Sequence, residues 1–242
     1  MLSACTIGMN EKPTCPKCKS AHVIKSGKVQ GKQRVKCKSC SFQFTKLTPR
    51  GRPANEKAMA ITLYTIGLSI HAIAKLFDVS PTSILRWIKT FAKQHYDKPE
   101  PGDAILIELD EMWHYLKQKN KLWIWKAYRR ETGELIDWEC GGRDKQTLSK
   151  MLKRLSKWNV ELYCSDNWSA YSELIDEELL YQSKSQTVNI EQNNGRQRRW
   201  FARFRRKSIV VSKTLEMVDL TMAISAKFHV NGTWKDIAAL FG

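Results

Sequence analysis

Three acidic side chains are placed where acids are unexpected. Asp110 closes the apolar run Ile105-Leu106-Ile107-Glu108-Leu109, Asp166 follows the apolar-rich Val160 to Cys164, and Glu191 opens a strongly basic stretch. Carboxylate oxygens suit a hard cation such as Mg²⁺. Two such ions, about 3.5 to 4 Å apart, can activate a nucleophile and stabilise the leaving oxygen at a phosphodiester. Three converging carboxylates would also be kept ionised by the metal charge they hold.

Four cysteines form a second constellation. Cys15-Pro-Lys-Cys18 and Cys37-Lys-Ser-Cys40 are two C-x2-C knuckles with eighteen residues between them, a spacing at which four thiolates close a tetrahedral Zn²⁺ site. The bland alternative is four free cytosolic thiols. Between the knuckles, Val23 to Lys28 and Lys32 to Lys36 predict two short strands about a Gly31 turn, with a third near Phe42 and Phe44, the pattern of a zinc ribbon. Apolar residues are so few that metal ligation should supply most of the folding energy, on the order of 10 kcal/mol or more. Cys5, Cys140 and Cys164 have no matching partners and read as ordinary small side chains.

The acids need a frame. Ile105 to Asp110, Leu122 to Tyr128, Leu135 to Cys140 and Val160 to Cys164 predict four strands, with a turn at Glu131-Thr132-Gly133 after the second. Asp144 to Trp158 has helical periodicity, Trp168 to Ile175 a shorter helical pattern, Tyr181 to Val188 a fifth strand, and Ile190 to Lys207 a basic helix. Three antiparallel strands followed by alternating helices and strands give the order of a ribonuclease H-like domain, in which Asp110, Asp166 and Glu191 reach one sheet edge. At 100° per residue, Glu191, Asn194 and Arg198 fall within about 60° of one another. Trp200, Phe201 and Phe204 form a core side, and Arg196, Arg199, Arg203 and Arg206 lie on an exposed rim beside Glu191. That rim could carry a phosphate backbone; a solvated face on a structural helix is the alternative. Glu108 and Glu111 read as supporting or structural, His114 as a polar strand-end residue, and the tryptophans as packing, one of them a possible base-stacking platform.

Charge separates the chain into unequal parts. The 41 Lys and Arg against 24 Asp and Glu give a net +17, which points to a polyanionic partner. Most of it lies before residue 99. There Ala58, Ile61, Leu63 and Tyr64 fit a first helix broken at Gly67, and Ile70, Ile73, Ala74, Leu76 and Phe77 a second. Ser80 caps a third that starts at Pro81 and continues through Ile84, Leu85, Ile88 and Phe91. This is a helix-turn-helix, whose Thr82, Ser83, Arg86 and Lys89 could enter a major groove, unless it is a packing module without nucleic acid. Arg50-Gly51-Arg52-Pro53 in the preceding linker resembles an AT-hook core, which lays two arginines into a narrow minor groove; a plain solvated linker reads equally well.

No run of about 18 apolar residues is present, and Met1 to Glu11 lacks the pattern of a secretory signal, so a cytoplasmic, nucleoid-associated protein is expected. Composition breaks divide it into a zinc ribbon (12–48), a helix-turn-helix (54–96), an α/β domain with ribonuclease H-like order (103–230) and a tail (231–242) without assigned role.

Taken in order, these motifs resemble a DDE transposase of the bacterial insertion sequence one family. The carriers are Gly31-Lys32-x-Arg34-x-x-Cys37 within the ribbon, the helix-turn-helix, Leu109-Asp110-Glu111-x-Trp113, Ser165-Asp166-x-Trp168-x-x-Tyr171 and Ile190-Glu191-x-x-Asn194-x-x-x-Arg198. The 24 residues between Asp166 and Glu191 match as well, and the likeness runs from Cys15 to about Val230. It implies that Asp110, Asp166 and Glu191 bind catalytic Mg²⁺, two ions with Mn²⁺ a substitute, and that Asn194 and Arg198 assist. It further implies that the front domains hold the element's terminal inverted repeats, and that a homodimer or larger assembly acts on double-stranded DNA. The readings from other classes are a zinc-containing transcription regulator with a non-catalytic C-terminal domain, and a ribonuclease H-like nuclease without strand transfer.

Overall fold

Alternating apolar residues on one long strand decide how the chain packs. The computed structural model describes residues 13–45, 51–117, 120–206, 208–229 and 231, which separate into two compact units, 1–53 and 54–242. Arg50, Cys5 and almost all of the 231–242 tail lie outside the described residues, as does the linker up to Arg50. No helix among the described residues is long and apolar enough to cross a membrane.

The first unit is a three-stranded antiparallel sheet of β1 (Val23–Val29), β2 (Lys32–Cys37) and β3 (Gln43–Thr45). Gln30 and Gly31 both take positive φ, +49° and +74°, between the paired residues Val29 and Lys32. A two-residue hairpin needs that conformation, and glycine supplies it without strain. Among its described residues, Cys15, Val35 and Cys37 are the only buried apolar side chains, so they form almost no core.

The second unit starts with three helices, α1 (Ala54–Ile66), α2 (Ile70–Leu76) and α3 (Pro81–His95). Ser80 caps α3 as expected, its hydroxyl accepting from the Ser83 N–H at 3.2 Å, and Ser69 caps α2 in the same way. Gly67 ends α1 at φ +114°, and a Cβ there would lie 2.7 Å from that of Ala202. That turn therefore requires glycine twice over, for its backbone and for its neighbour.

A five-stranded sheet follows: β4 (Asp103–Leu116), β5 (Asn120–Arg129), β6 (Glu134–Gly141), β7 (Asn159–Ser165) and β8 (Leu180–Gln182), in spatial order β6-β5-β4-β7-β8. β4 to β6 are antiparallel neighbours, and β7 and β8 run parallel to β4. Ile107, Leu109 and Trp125 face a core with Leu148, Met151 and Leu155 of α4 (Lys145–Leu155) and Tyr171 of α5 (Ser169–Leu174). Met112, Leu122 and Ile124 face the other way. They meet Phe201, the residue after α6 (Val188–Trp200), and Val218 and Met222 of α7 (Leu215–His229), and the same core contains Ile73, Ile84, Ile88 and Phe91 of the helix-turn-helix. The expected boundary at 97–102 therefore does not part the packing. Tyr96 stacks on Trp138 at 5.6 Å, and Lys98 donates to Asp137.

Two elements differ from the sequence expectation. The basic helix stops at Trp200 and continues as a 3₁₀ turn, Ala202–Phe204, so angles projected beyond Trp200 lose their phase. Trp200, expected in the core, is 44% exposed, while Arg203, expected on the basic rim, is 7% exposed. Its guanidinium lies 3.9 Å from the Tyr64 ring centroid and donates to the Leu68 carbonyl, which leaves it no reach to DNA. The expected strand 181–188 is only the short β8 before a 3₁₀ turn at Lys184–Gln186.

Candidate catalytic and metal centres

In β4 the alternation that buries Ile107 and Leu109 on the α4 side turns Glu108 and Asp110 to the α6 side. β7 lies parallel to β4 with Glu108 opposite Cys164, and Asp166 follows Ser165, the last residue of β7. Glu191 stands in the first turn of α6. Glu108 holds that helix in place. Its wholly buried carboxylate accepts from the Arg130 Nε at 2.7 Å, the Asn189 Nδ2 at 2.6 Å and the Ile190 N–H at 2.9 Å. An anion at a helix N-terminus satisfies donors that have no partner within the helix. Glu108 is thus structural, and what it positions is the start of α6.

Around Asp110 the contacts are polar and dense. Asn194 Nδ2 donates to Asp110 Oδ2 at 2.6 Å. Glu111, on the opposite face, accepts from Arg143 at 2.7 Å and from the Tyr171 hydroxyl at 3.1 Å. Asp166 Oδ1 accepts from the Trp168 N–H at 3.1 Å, and Glu191 Oε1 from Thr187 at 3.3 Å. Arg198 has its basicity lowered, first by burial and then by Arg206 nearby, while Asp110 opposes the shift. Asp110, Asp166, Asn194 and Arg198 thus share one neighbourhood. The three acids are less tightly gathered than the cysteines: among the described residues, only the four cysteines form a Cys, His, Asp or Glu set with all ligand atoms within 4.8 Å. His114 is buried against Phe204, and burial together with Arg203 lowers it to about 4, so it is neutral.

The least expected residue is Lys126. It pairs directly with Asp110 across β4 and β5, is 0% exposed, and donates to the side-chain oxygens of Asn193, Asn194 (2.8 Å) and Gln197 (3.1 Å). The sequence carried a signal for it. Leu122, Ile124 and Lys126 occupy alternate positions of β5, so the lysine stands where the pattern calls for an apolar side chain.

The Asp110 carboxyl is raised to about 7, first by burial and also by the neighbouring Glu111 and Asp166, against the pull of Lys126 and the Glu111 backbone. A carboxyl raised above its unfolded value of about 4 stabilises the fold at low pH, and that contribution is lost as pH rises through about 7. In metal-free protein, Asp110→Asn removes the loss. The variant's melting temperature should therefore gain on the wild type's between about pH 5 and about pH 8; a difference constant across that range would refute the account of Asp110.

The cysteine centre is geometrically ready. Cys15 and Cys40 Sγ are 3.6 Å apart, as are those of Cys18 and Cys37. Four sulfurs at about 2.3 Å from a tetrahedral ion would be about 3.8 Å from one another. Burial alone would raise the Cys15 and Cys37 thiols, but backbone N–H groups of Cys18 and Lys17 at Cys15, of Cys40 and Ser39 at Cys37, and the neighbouring thiols lower both. Cys18, against the Ser20 backbone N–H that lowers it, is pushed up to about 12 by those thiols and burial. The donor set and its spacing fit Zn²⁺.

On the helix-turn-helix, Thr82 and Arg86 are exposed, and Ser83 shares a 3.0 Å hydrogen bond with Ser80. Lys89 instead pairs with Glu216 of α7 at 2.7 Å. Arg199 and Arg206 are exposed, Arg206 lying 5.9 Å from the Trp113 ring centroid.

A mixed α+β chain with a helix-turn-helix-like region and a four-cysteine cluster is the class these elements define. A family model described as IS1 transposase matches residues 104–230, and one described as a homeodomain-like domain matches 55–96. The chain belongs to the IS1 transposase family. The Insertion element iso-IS1n protein InsB of Shigella dysenteriae is 29% identical over 128 residues, 52% of this chain and 98% of that protein. The Insertion element IS1 2 protein InsB of Escherichia coli (strain K12) is 32% identical over 123 residues, 50% of this chain and 74% of that protein. Among solved structures, the simian T-cell lymphotropic virus intasome in complex with PP2A regulatory subunit B56 gamma covers 57% of this chain and 57% of its own. Its identity is 12% and its TM-score 0.31, a superposition too loose to bear on the fold.

Proposed function

We propose that this transposase cuts the ends of a DNA element and joins them to target DNA at a divalent-metal centre formed by Asp110, Asp166 and Glu191, on a ribonuclease H-like domain of residues 103–230. The observation that supports the reading is the parallel pairing of β4 and β7, with Asp110 two residues past Glu108 on one strand and Asp166 just past the end of the other, and Asp166 raising the Asp110 carboxyl; Glu191 stands on a helix anchored to β4 through Glu108. The sheet order, three antiparallel strands extended by two parallel ones, supports the fold assignment.

The donor set suits Mg²⁺, with Mn²⁺ a substitute: all ligands are carboxylate oxygens, and the charge resisted at Asp110 is one a hard cation would offset. Asp110, Asp166 and Glu191 would hold it. Bound there, it supplies Lewis-acid polarisation of the phosphodiester and a nucleophile of lowered pKa. The chain's own residues do the rest. Asn194 holds one Asp110 oxygen by hydrogen bond, and Arg198 presents a cation near the scissile phosphate. Arg199 and Arg206 line the approach, and the exposed Thr82 and Arg86 of α3 reach a major groove, with Ser83 beside them. Water attacks first and frees a 3′ hydroxyl; that hydroxyl then attacks the target strand by a second in-line displacement, without a protein-linked intermediate.

The ribbon (12–48) and helix-turn-helix (54–96) bind the terminal inverted repeats in this reading. From Pro13 to Thr45 the ribbon carries Lys and Arg side chains and no Asp or Glu. Its stacked Phe42 and Phe44 border a groove of about 600 Å³ with Lys17 and Arg34. Arg50 and Arg52 add minor-groove contacts. The protein acts as a homodimer or larger assembly on nucleoid DNA, because two ends must be joined.

The test is incubation of the zinc-loaded full chain with Mg²⁺, DNA bearing the flanking repeats and a target plasmid, scored for nicks and for joined products. Both products are expected. Nicks alone mean a nuclease without strand transfer, and neither product, with repeat binding retained, means a transcription regulator.

A further inference from the structure

We propose that Lys126 is a positioning residue for the carboxylate centre, acting through the amide of Asn194; the proposal rests on the functional reading above. An ammonium has three donors and no acceptor. At Lys126 those donors are taken up by three side-chain oxygens from one face of α6, those of Asn193, Asn194 and Gln197, all buried. No carboxylate among the described residues hydrogen-bonds to Lys126, although Asp110 is its partner in the strand register.

The orientation of Asn194 follows. An amide that gives its oxygen to Lys126 must turn its –NH₂ the other way, and here it meets Asp110 Oδ2 at 2.6 Å. Lysine, amide and carboxylate form a chain in which each group can face only one way. Asp110 Oδ2 is thereby committed to Asn194, which fixes the rotation of the carboxylate and the direction in which it meets a cation. A buried lysine needed only for packing would be better replaced by an apolar side chain, since removing a charge from water costs several kcal/mol. A lysine opposite Asp110, at an otherwise apolar strand position, is what a positioning role explains. Groups that orient ligands in this way support metal affinity or activity by roughly 10- to 100-fold.

The experiment measures Mn²⁺ affinity of the zinc-loaded full chain by electron paramagnetic resonance of the free ion, beside single-turnover cleavage in Mg²⁺. The variants are Lys126→Met, Lys126→Gln, Asn194→Ala and the double variant Lys126→Met with Asn194→Ala. Lys126→Met should weaken Mn²⁺ binding and slow cleavage, each by roughly 10- to 100-fold. Asn194→Ala should do the same, and the double variant should lose no more than Asn194→Ala alone, because Lys126 acts through that amide. Lys126→Gln keeps an N–H donor without the charge, and guards against a Met variant that fails to fold: it should lie between wild type and Asn194→Ala. Near-wild-type Mn²⁺ affinity in folded Lys126→Met or Lys126→Gln overturns the proposal, and so do losses that multiply in the double variant. If wild type binds Mn²⁺ but cuts no DNA, the transposase reading fails, while the affinity series still decides the role of Lys126.

Discussion

Asp110→Asn, Asp166→Asn and Glu191→Gln should each abolish cleavage and strand joining while leaving terminal-repeat binding at wild-type strength. Each exchange keeps size and shape and removes the charge that a divalent ion needs. The expected loss exceeds about 10³-fold, beyond the 10- to 100-fold usual for groups that only support a metal ligand. Unfolding would not explain it at Asp110. That carboxyl is raised to about 7, chiefly by its burial, so the neutral asparagine should stabilise the metal-free fold at neutral pH. An inactive variant that melts higher than wild type separates catalysis from stability. Gel-shift binding and single-turnover cleavage on the same preparations check both halves; cleavage retained in any one variant removes that residue from the catalytic set.

Cys15→Ser combined with Cys18→Ser should unfold the ribbon and leave residues 54–242 folded. The ribbon buries Val35 and two of its own cysteines among apolar residues, far too little to offset the conformational entropy of some thirty residues, each costing about 1 to 2 kcal/mol. Zinc ligation, on the order of 10 kcal/mol or more, is then the largest single contribution holding the ribbon folded. The second unit has two apolar clusters of its own, so its melting should be unchanged. Limited proteolysis should remove the segment before Ala54 in the variant and spare it in the zinc-loaded parent, and affinity for the terminal repeats should fall with it. The salt dependence should flatten too, by about 0.9 log unit of affinity per log unit of salt for each phosphate that the ribbon no longer neutralises. A ribbon that stays protease-resistant without its thiols would refute the metal account.

Local signals in the sequence carried the parts of the fold that depend on near neighbours. The C-x2-C knuckles lie where their spacing places them, Ser80 and Pro81 start α3, and the apolar runs to Asp110 and Cys164 become β4 and β7. What depends on distant neighbours was hidden. Ile84 and Phe91 could be assigned to a helix, but nothing near them announces that Met112, Phe201 and Val218 complete their core. α7 is buried nearly all round, through the consecutive residues Leu220, Thr221, Met222, Ala223, Ile224, Ser225 and Ala226, so it lacks the one-sided periodicity that marks a surface helix. The end of α6 has no glycine or proline to signal it, and so Arg203 was expected at the surface instead of beneath Tyr64. In the candidate site Asp110 and Asp166 stand out in the sequence because they follow apolar runs, and Glu191 because it opens a basic stretch. Lys126 interrupts the alternation of Leu122 and Ile124, but its partners Asn193, Asn194 and Gln197 lie far along the chain and nothing near it announces them.

Exchange of Asp110 or Asp166 for cysteine tests most directly that these side chains hold the ion. A thiolate is a poor ligand for Mg²⁺, which prefers oxygen, and a better one for softer divalent ions such as Mn²⁺. Single-turnover cleavage of terminal-repeat DNA by Asp110→Cys and Asp166→Cys should be lost in Mg²⁺ and recovered in part in Mn²⁺, while Asp110→Asn and Asp166→Asn stay inactive in both. Cleavage by either cysteine variant in Mg²⁺ at the wild-type rate would contradict the metal-centre account.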